Sequence, residues 1–267
     1  MKDCTFFIVT HKVFDVPKIP NYYPIIVGGK DINLVNSYHD NIGDNIAEKN
    51  SNFCELTALY WIWKNFKEDN YIGICHYRRY FINNRFVKSK DGFLNSEKAR
   101  KILKTNDIIL AAPWGWLDIT VKDWYLNTDG KEKDLIELRK IIEELYPEYL
   151  EDYDEVMNGY MASYLNMMVT SKEIFDKYSE WLFDILFELE KRIDISSYTP
   201  LEARVFGFLS ERLLNVWVKH NKLKIKYLQV YQTENSFSQK KILKEDIRRC
   251  ILNIRKSSKF LRKRSID

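Results

Sequence analysis

Tyr71-Ile72-Gly73-Ile74-Cys75-His76-Tyr77-Arg78-Arg79-Tyr80-Phe81 opens as a short uncharged apolar run and ends in a histidine and two adjacent arginines. The run from Tyr71 to Cys75 has the pattern of a strand buried on both faces. In open α/β sheets, ligands bind beyond the carboxyl ends of such strands. A second run, Cys4 to Thr10, stops at His11-Lys12, and a third, Tyr23 to Val27, stops at Gly28-Gly29. Further strands are expected at Asp107 to Ala111, Leu165 to Thr170 and Leu223 to Val230. Helices are expected at Cys54 to Phe66, Asp91 to Leu103, Lys122 to Met157 with a break at Pro147, Lys172 to Arg192, and Leu201 to His220. Strands alternating with helices predict an α/β sandwich with a largely parallel sheet.

The 267 residues suffice for one large core, and 45% hydrophobic content with 15% aromatic residues excludes a disordered chain. The apolar run at the N-terminus is too short for a secretory signal, and no run approaches the ~18 apolar residues of a spanning helix. The expectation is a soluble, cytoplasmic protein. Cys4, Cys54, Cys75 and Cys250 have no spacing that suggests zinc or a disulfide framework, and read as reduced thiols. There is no P-loop, no dinucleotide fingerprint and no serine nucleophile elbow. His11, His39, His76 and His220 lack metal-ligand spacing, and the basic residues do not interleave with aromatics as nucleic-acid binding requires.

Charge at the end of a buried strand is costly unless it meets a counter-charge. Guanidinium groups match phosphate oxygens, so His76, Arg78 and Arg79 read either as anion ligands or as a surface ion-pair cluster. If the strand continues extended, His76 and Arg78 face one way and Tyr77 and Arg79 the other. Only one arginine then reaches a ligand. Asp44, Asn45, Lys49 and Asn50 are polar groups ahead of a helix, which offer either phosphate contacts or ordinary turn chemistry. Asn52 with Glu55 three residues on reads as a capping box, which gives Glu55 a structural role. Asp152-Tyr153-Asp154 has a metal-pair spacing but sits in an acidic helix end, and metal independence is expected.

Gly43-Asp44-Asn45-Ile46 with Lys49-Asn50, the block Cys54 to Trp61, and Cys75 to Phe81 occur in an order that resembles a known family. Pro24 to Gly28, Asn166-Met167-Met168 and Arg204 to Leu213 fit the same pattern. The chain resembles the bacterial capsule and O-antigen glycosyltransferases long catalogued as a domain of unknown function, some of which are galactofuranosyltransferases. The resemblance covers about residues 5–230. It implies a compact GT-A-like (Rossmann-like) α/β fold, a UDP-sugar donor, and a lipid-linked oligosaccharide acceptor in capsule, O-antigen or exopolysaccharide synthesis. On it, His11, Lys12, Asp44, Asn45, Lys49, His76, Arg78 and Arg79 surround the donor. Inverting transfer needs a carboxylate base, and Glu211 and Asp154 are the leading candidates, with Glu155 and Asp118 behind them. Glu211 also reads as an ion-pair partner of Arg204 or Arg212. Asn166 and Trp114 are candidates for sugar contacts, with Trp116 and Trp124 beside them, and core packing is the alternative for the tryptophans.

Residues 1–235 are expected to form the transferase domain and residues 236–267 a basic helical tail. Between Lys240 and Arg264 stand eleven Lys or Arg against Glu245 and Asp246. Leu243, Ile247, Ile251 and Ile254 recur at helical spacing, a membrane-surface pattern in which each basic residue contributes about 1 kcal/mol at an anionic leaflet. A peripheral position on the inner face of the cell membrane is therefore expected, with docking on the core as the other reading. Two further functions fit the same residues: a carbohydrate- or nucleotide-binding module without catalysis, and a membrane scaffold for other assembly enzymes.

Overall fold

A computed structural model describes residues 3–68, 70–83, 92–116 and 118–234. The basic tail expected at 236–267 lies outside the described residues. Four strands, β1 (Cys4–Thr10), β2 (Tyr22–Ile26), β3 (Tyr38–His39) and β4 (Tyr71–His76), run parallel in the order β3-β2-β1-β4. The sheet continues through β5 (Arg79–Ile82), β10 (Ile225–Gln232), β6 (Ile108–Ala111) and β9 (Met168–Ser171). β9 lies antiparallel to both β6 and the first half of β4, so β4, β5, β10, β6 and β9 close into a small ring. The sheet is thus mixed, where a largely parallel one is expected from the sequence. β5 reverses direction through the tight Tyr77-Arg78 turn and β9 inserts antiparallel between strands distant in sequence, and period-two patterning reveals neither. A separate pair, β7 (Trp114–Gly115) and β8 (Met161–Ala162), forms a short ribbon.

The alternation of side chains along β1 builds two cores. Phe7 and Val9 join Ile72, Ile74, Ile108 and Leu110 under a layer of helices. That layer contains α1 (Asn50–Phe53), α2 (Leu56–Asn65), α5 (Glu132–Leu145), α6 (Leu150–Met157), α7 (Lys172–Arg192) and α8 (Val205–His220), with α4 (Val121–Thr128) beside α6. On the other face Cys4, Phe6 and Ile8 meet Cys75, Ile109 and Val169, covered by α3 (Ser96–Leu103) through Ala99 and Leu103. Among the described residues no helix is long and apolar enough to cross a membrane.

Three strands meet at one aromatic stack. Phe6 stands opposite Tyr22 on one side and Gly73 on the other, and its ring lies flat on Tyr22 with centroids 4.3 Å apart. A Cβ at position 73 would fall 2.4 Å from the Phe6 ring, so only glycine admits this packing. Gly73→Ala should therefore destabilise the fold by about 1–3 kcal/mol through overpacking. Urea unfolding measures this directly, and an unchanged midpoint would show that the ring is free to move aside.

Candidate active site

Parallel pairing of β1 with β4 places Val9 opposite His76, so the two strands end at the same level. Beyond those ends lies a cavity of about 420 Å³, walled by Thr10 and His11, by Asn50, Cys54 and Glu55, by His76 to Arg79, by Leu165, and by Arg204, Phe208 and Glu211. These five separate stretches of the chain converge on it.

The first wall is cationic. The chain reverses at Tyr77 and Arg78, and β5 begins at Arg79, paired with His76. This hairpin breaks the alternation expected of an extended strand, and both arginines line the cavity. Arg78 pairs with Glu234 at 2.8 Å at the rim. Arg79 has no ion-pair partner among the described residues, and its buried Nε makes no hydrogen bond. Burial and the neighbouring Arg78 lower its proton affinity, while Glu55 and Glu211 oppose them. Arg79 Nη1 lies 3.5 Å from His76 Nδ1, which as the partner of a guanidinium accepts. The proton of His76 then sits on Nε2, which has no hydrogen bond of normal geometry. Burial, then Arg79 and Arg78, push this imidazole down to about 3, so it is neutral at any working pH. His11 is also lowered, by burial first and then by Lys30, Lys12, Arg78 and Arg204. That list of neighbours describes a positive field at the mouth.

The opposite wall carries two carboxyl groups. The capping box expected at Asn52 and Glu55 does not form. α1 ends after one turn at Cys54, whose φ of +53° breaks the helix, and α2 starts at Leu56 with no side-chain cap. Asn52 instead donates to the Ala203 carbonyl at 2.8 Å. Glu55 is thereby released to the cavity, where its Oε1 accepts from Asn166 Nδ2 at 2.8 Å. Burial raises its proton affinity against the pull of Asn166, Arg204 and Arg79. Glu211, on α8, accepts the Leu165 N–H at 2.8 Å and lies 3.3 Å from Arg212 Nη1. Arg212 is wholly buried and shared with Asp129. Burial, aided by the charge of Glu55 and incompletely offset by Arg212, raises Glu211 to about 7. Arg204 donates Nε to Cys54 Sγ at 3.2 Å, so its pairing with Glu211 is not a direct ion pair.

The remaining residues singled out in the sequence are placed elsewhere. Lys12 stacks over Tyr77 and pairs with Glu234 at 3.7 Å, on a neighbouring cavity of about 300 Å³ lined by Phe14, Tyr77, Tyr80 and Phe93. Asp44 accepts from Tyr60 at 3.0 Å, Asn45 caps Ala47, and Lys49 pairs with Glu190 at 2.7 Å; none of the three lines the main cavity. Asp154 is held in a two-pronged ion pair with Arg139 at 2.9 and 2.7 Å, away from the cavity, because α6 turns it toward α5. Glu155 pairs with Lys219, and Asp118 is exposed. Trp114 packs on Trp124 and Tyr164. Asn166 is fully buried and reaches Glu55 instead of the cavity. Among the described residues no group of three His, Cys, Asp or Glu side chains is placed to hold a metal ion.

Residues 5–222 match a family model described as a domain of unknown function, DUF4422. The chain belongs to this family. No curated protein compared with it matches. Among solved structures it is similar to the WbbM bifunctional glycosyltransferase in its apo form, with 31% identity and a TM-score of 0.81. That alignment covers 88% of this chain and 46% of the other, so the chain spans less than half the length of that protein. The DUF4422 match takes in every cavity residue from Thr10 to Glu211.

The raised affinity of Glu211 has a consequence for stability. Its folded value, about 7, exceeds the ordinary glutamate value of 4.5, so the folded state holds the proton more tightly than the unfolded chain. The resulting stabilisation is complete below the ordinary value and is lost as pH rises through the folded one. Glu211→Gln lacks this dependence. Its melting temperature relative to the natural chain should rise between about pH 5 and about pH 8. A difference that does not change with pH would place Glu211 in contact with solvent.

Proposed function

We propose that this DUF4422 chain is a glycosyltransferase of polysaccharide synthesis, taking a sugar from a nucleoside diphosphate donor, a UDP-sugar on the family resemblance. The observation that carries the reading is Arg79: a partly buried guanidinium on the cavity wall, beside a neutral His76, with no direct carboxylate partner among the described residues. Such a charge is stable only where an anion completes the site. Similarity to a bifunctional glycosyltransferase supports transfer chemistry in general. The strand order β3-β2-β1-β4-β9-β6, with β9 reversed, supports a GT-A-like description of the main sheet.

In this reading the diphosphate lies on Arg78, Arg79 and Arg204, with His11 at the mouth and the neutral His76 ring behind them. As the bond from the anomeric carbon to the diphosphate breaks, the electron pair leaves with the diphosphate, and these groups stabilise its growing charge. Glu211 takes the proton of the acceptor hydroxyl as its oxygen bonds to the anomeric carbon, which inverts the configuration there. A carboxylate whose affinity matches neutral pH is well matched to that transfer. Glu55, held by Asn166, orients sugar hydroxyls. The end of β4 and the start of β5 carry His76 and Arg79 where a metal-binding enzyme would need carboxylates, which supports neutralisation of the diphosphate by cationic side chains. The acceptor is a lipid-linked glycan, approached from the cytoplasmic face of the membrane, and galactofuranose is one of the sugars the family resemblance admits.

Binding and turnover of a panel of UDP-sugars, with and without EDTA, test the proposal. Arg79→Ala should weaken donor binding by about 10- to 100-fold, the loss of one charged hydrogen-bonding partner. EDTA should change nothing. Glu211→Gln should lower kcat by about 10²–10⁴-fold and remove an acidic limb of the rate profile centred near 7. Binding of no nucleotide sugar, or equal affinity for the natural chain and Arg79→Ala, sinks the reading.

A further inference from the structure

Two consecutive residues just before Met167 and β9 leave the usual right-handed backbone region. Leu165 has φ +85° and Asn166 φ +51°, and a side chain with a Cβ rarely enters this left-handed region even once. The double turn sends the Leu165 N–H to Glu211 Oε1 at 2.8 Å. It also buries the Asn166 side chain completely. Asn166 Nδ2 then reaches Glu55 Oε1 at 2.8 Å, Ser210 Oγ at 2.8 Å and the Gly207 carbonyl at 3.3 Å. Consecutive residues of one loop therefore hold two carboxyl groups that belong to different helical segments. Gly207 lets α8 pack closely on the Cys54 turn that precedes Glu55, since a Cβ there would stand 3.2 Å from Cys54 Sγ.

We propose that Leu165-Asn166 is the positioning element of the site, and that the Asn166 amide keeps Glu55 ionised so that Glu211 is the carboxyl that exchanges a proton. This rests on the transferase reading for its purpose, but not for its physics. Around Glu55 stand the guanidinium groups of Arg204 and Arg79, the Cys54 thiol and the Tyr178 phenol. Around Glu211 stand Arg212, Glu55 itself and Asp129, with Arg79 and Tyr164 beyond. Glu55 has a neutral side-chain donor and two cations, Arg204 and Arg79, which it shares with Glu211. Glu211 has one backbone donor and an arginine already committed to Asp129. The charge on Glu55 therefore falls on Glu211 as repulsion, and the two titrate as a coupled pair.

The signs follow. Without the Asn166 donor, Glu55 holds its proton more tightly. Once Glu55 is neutral its repulsion of Glu211 disappears, and Glu211 gives up its proton more easily. Carbon-detected NMR of protein labelled at the glutamate carboxyl carbons follows both groups without substrate, with Glu55→Gln and Glu211→Gln giving the assignments. Asn166→Gly keeps the left-handed turn, which glycine adopts freely. It should raise the Glu55 midpoint and lower that of Glu211, so that the two converge or cross. Glu55→Gln leaves the turn untouched and should lower the Glu211 midpoint in the same direction, which preserves the test if Asn166→Gly fails to fold. Unmoved midpoints in Asn166→Gly, or an unmoved Glu211 in Glu55→Gln, overturn the proposal. In turnover, Asn166→Gly should lower kcat on the order of 10²-fold with little change in KM, and shift the acidic limb downward. A titration as expected in a chain that transfers no sugar would refute the transferase reading alone.

Discussion

The parallel register of β1 on β4 is the constraint on which the site depends. Cys4 to Val9 pair in step with Tyr71 to His76, and the Tyr77 N–H closes on the Val9 carbonyl at 3.1 Å. This brings Val9-Thr10 level with His76-Tyr77, with His11 one step beyond. Neither strand can slip, because each alternates between two cores and a shift of one residue would exchange them. The flat contact of Phe6 with Tyr22 and the missing Cβ of Gly73 pin the same register from the other face. Everything chemical is then suspended from helix starts and loops that pack over those two strand ends.

The cavity separates charges that would otherwise neutralise each other. Direct pairing of Arg79 with Glu55 or Glu211 would satisfy all three groups and leave nothing to bind a ligand. The hairpin at Tyr77-Arg78 holds the guanidinium on one wall, while Asn166 and the Leu165 N–H hold the carboxyl groups on the other. Glu55 has the Asn166 amide, and Glu211 has the Leu165 N–H and a share of Arg212, in place of a direct pair with Arg79. That arrangement is stable only because the helices and the sheet over-determine it, which is how strain persists at functional sites.

The pattern of continuous apolar runs made β1, β4 and β6 legible, and the amphipathic stretch from Lys172 to Arg192 is found as one helix with those bounds. His11, His76 and the two arginines were legible as well, since charge at the end of a buried strand is unusual in any sequence. Three features were not. Glu55 looks like a cap, because Asn52 three residues before it has the right chemistry, and only the left-handed Cys54 shows that the helix restarts. The reversal at Tyr77-Arg78 carries no Gly or Asn to announce a hairpin. The double turn at Leu165-Asn166 has no glycine either, so a strand from Leu165 was the natural expectation. Asp44, Asn45 and Lys49 show the converse: polar density near a helix start was turn chemistry and an ion pair with Glu190.

Arg212 explains why Glu211 sits at an intermediate proton affinity. A wholly buried arginine must be paired, and its Nη2 is taken by Asp129 while Tyr125 and Tyr164 flank its plane at 5.3 and 5.1 Å. Were it free to face Glu211 alone, it would hold that carboxyl ionised and weakly basic. Were it absent, burial and the charge of Glu55 would keep the carboxyl protonated well above neutrality. Asp129 takes up part of the positive charge and leaves part, which places Glu211 between those limits at about 7. The basicity of the cavity is thus set first by burial, then by Arg212 and Glu55, with Asp129, a residue that follows α4, adding a smaller contribution from outside. A base so tuned requires the helix that carries it and the loop that carries Asp129 to pack as one body, and the fully buried Arg212 between them is the joint.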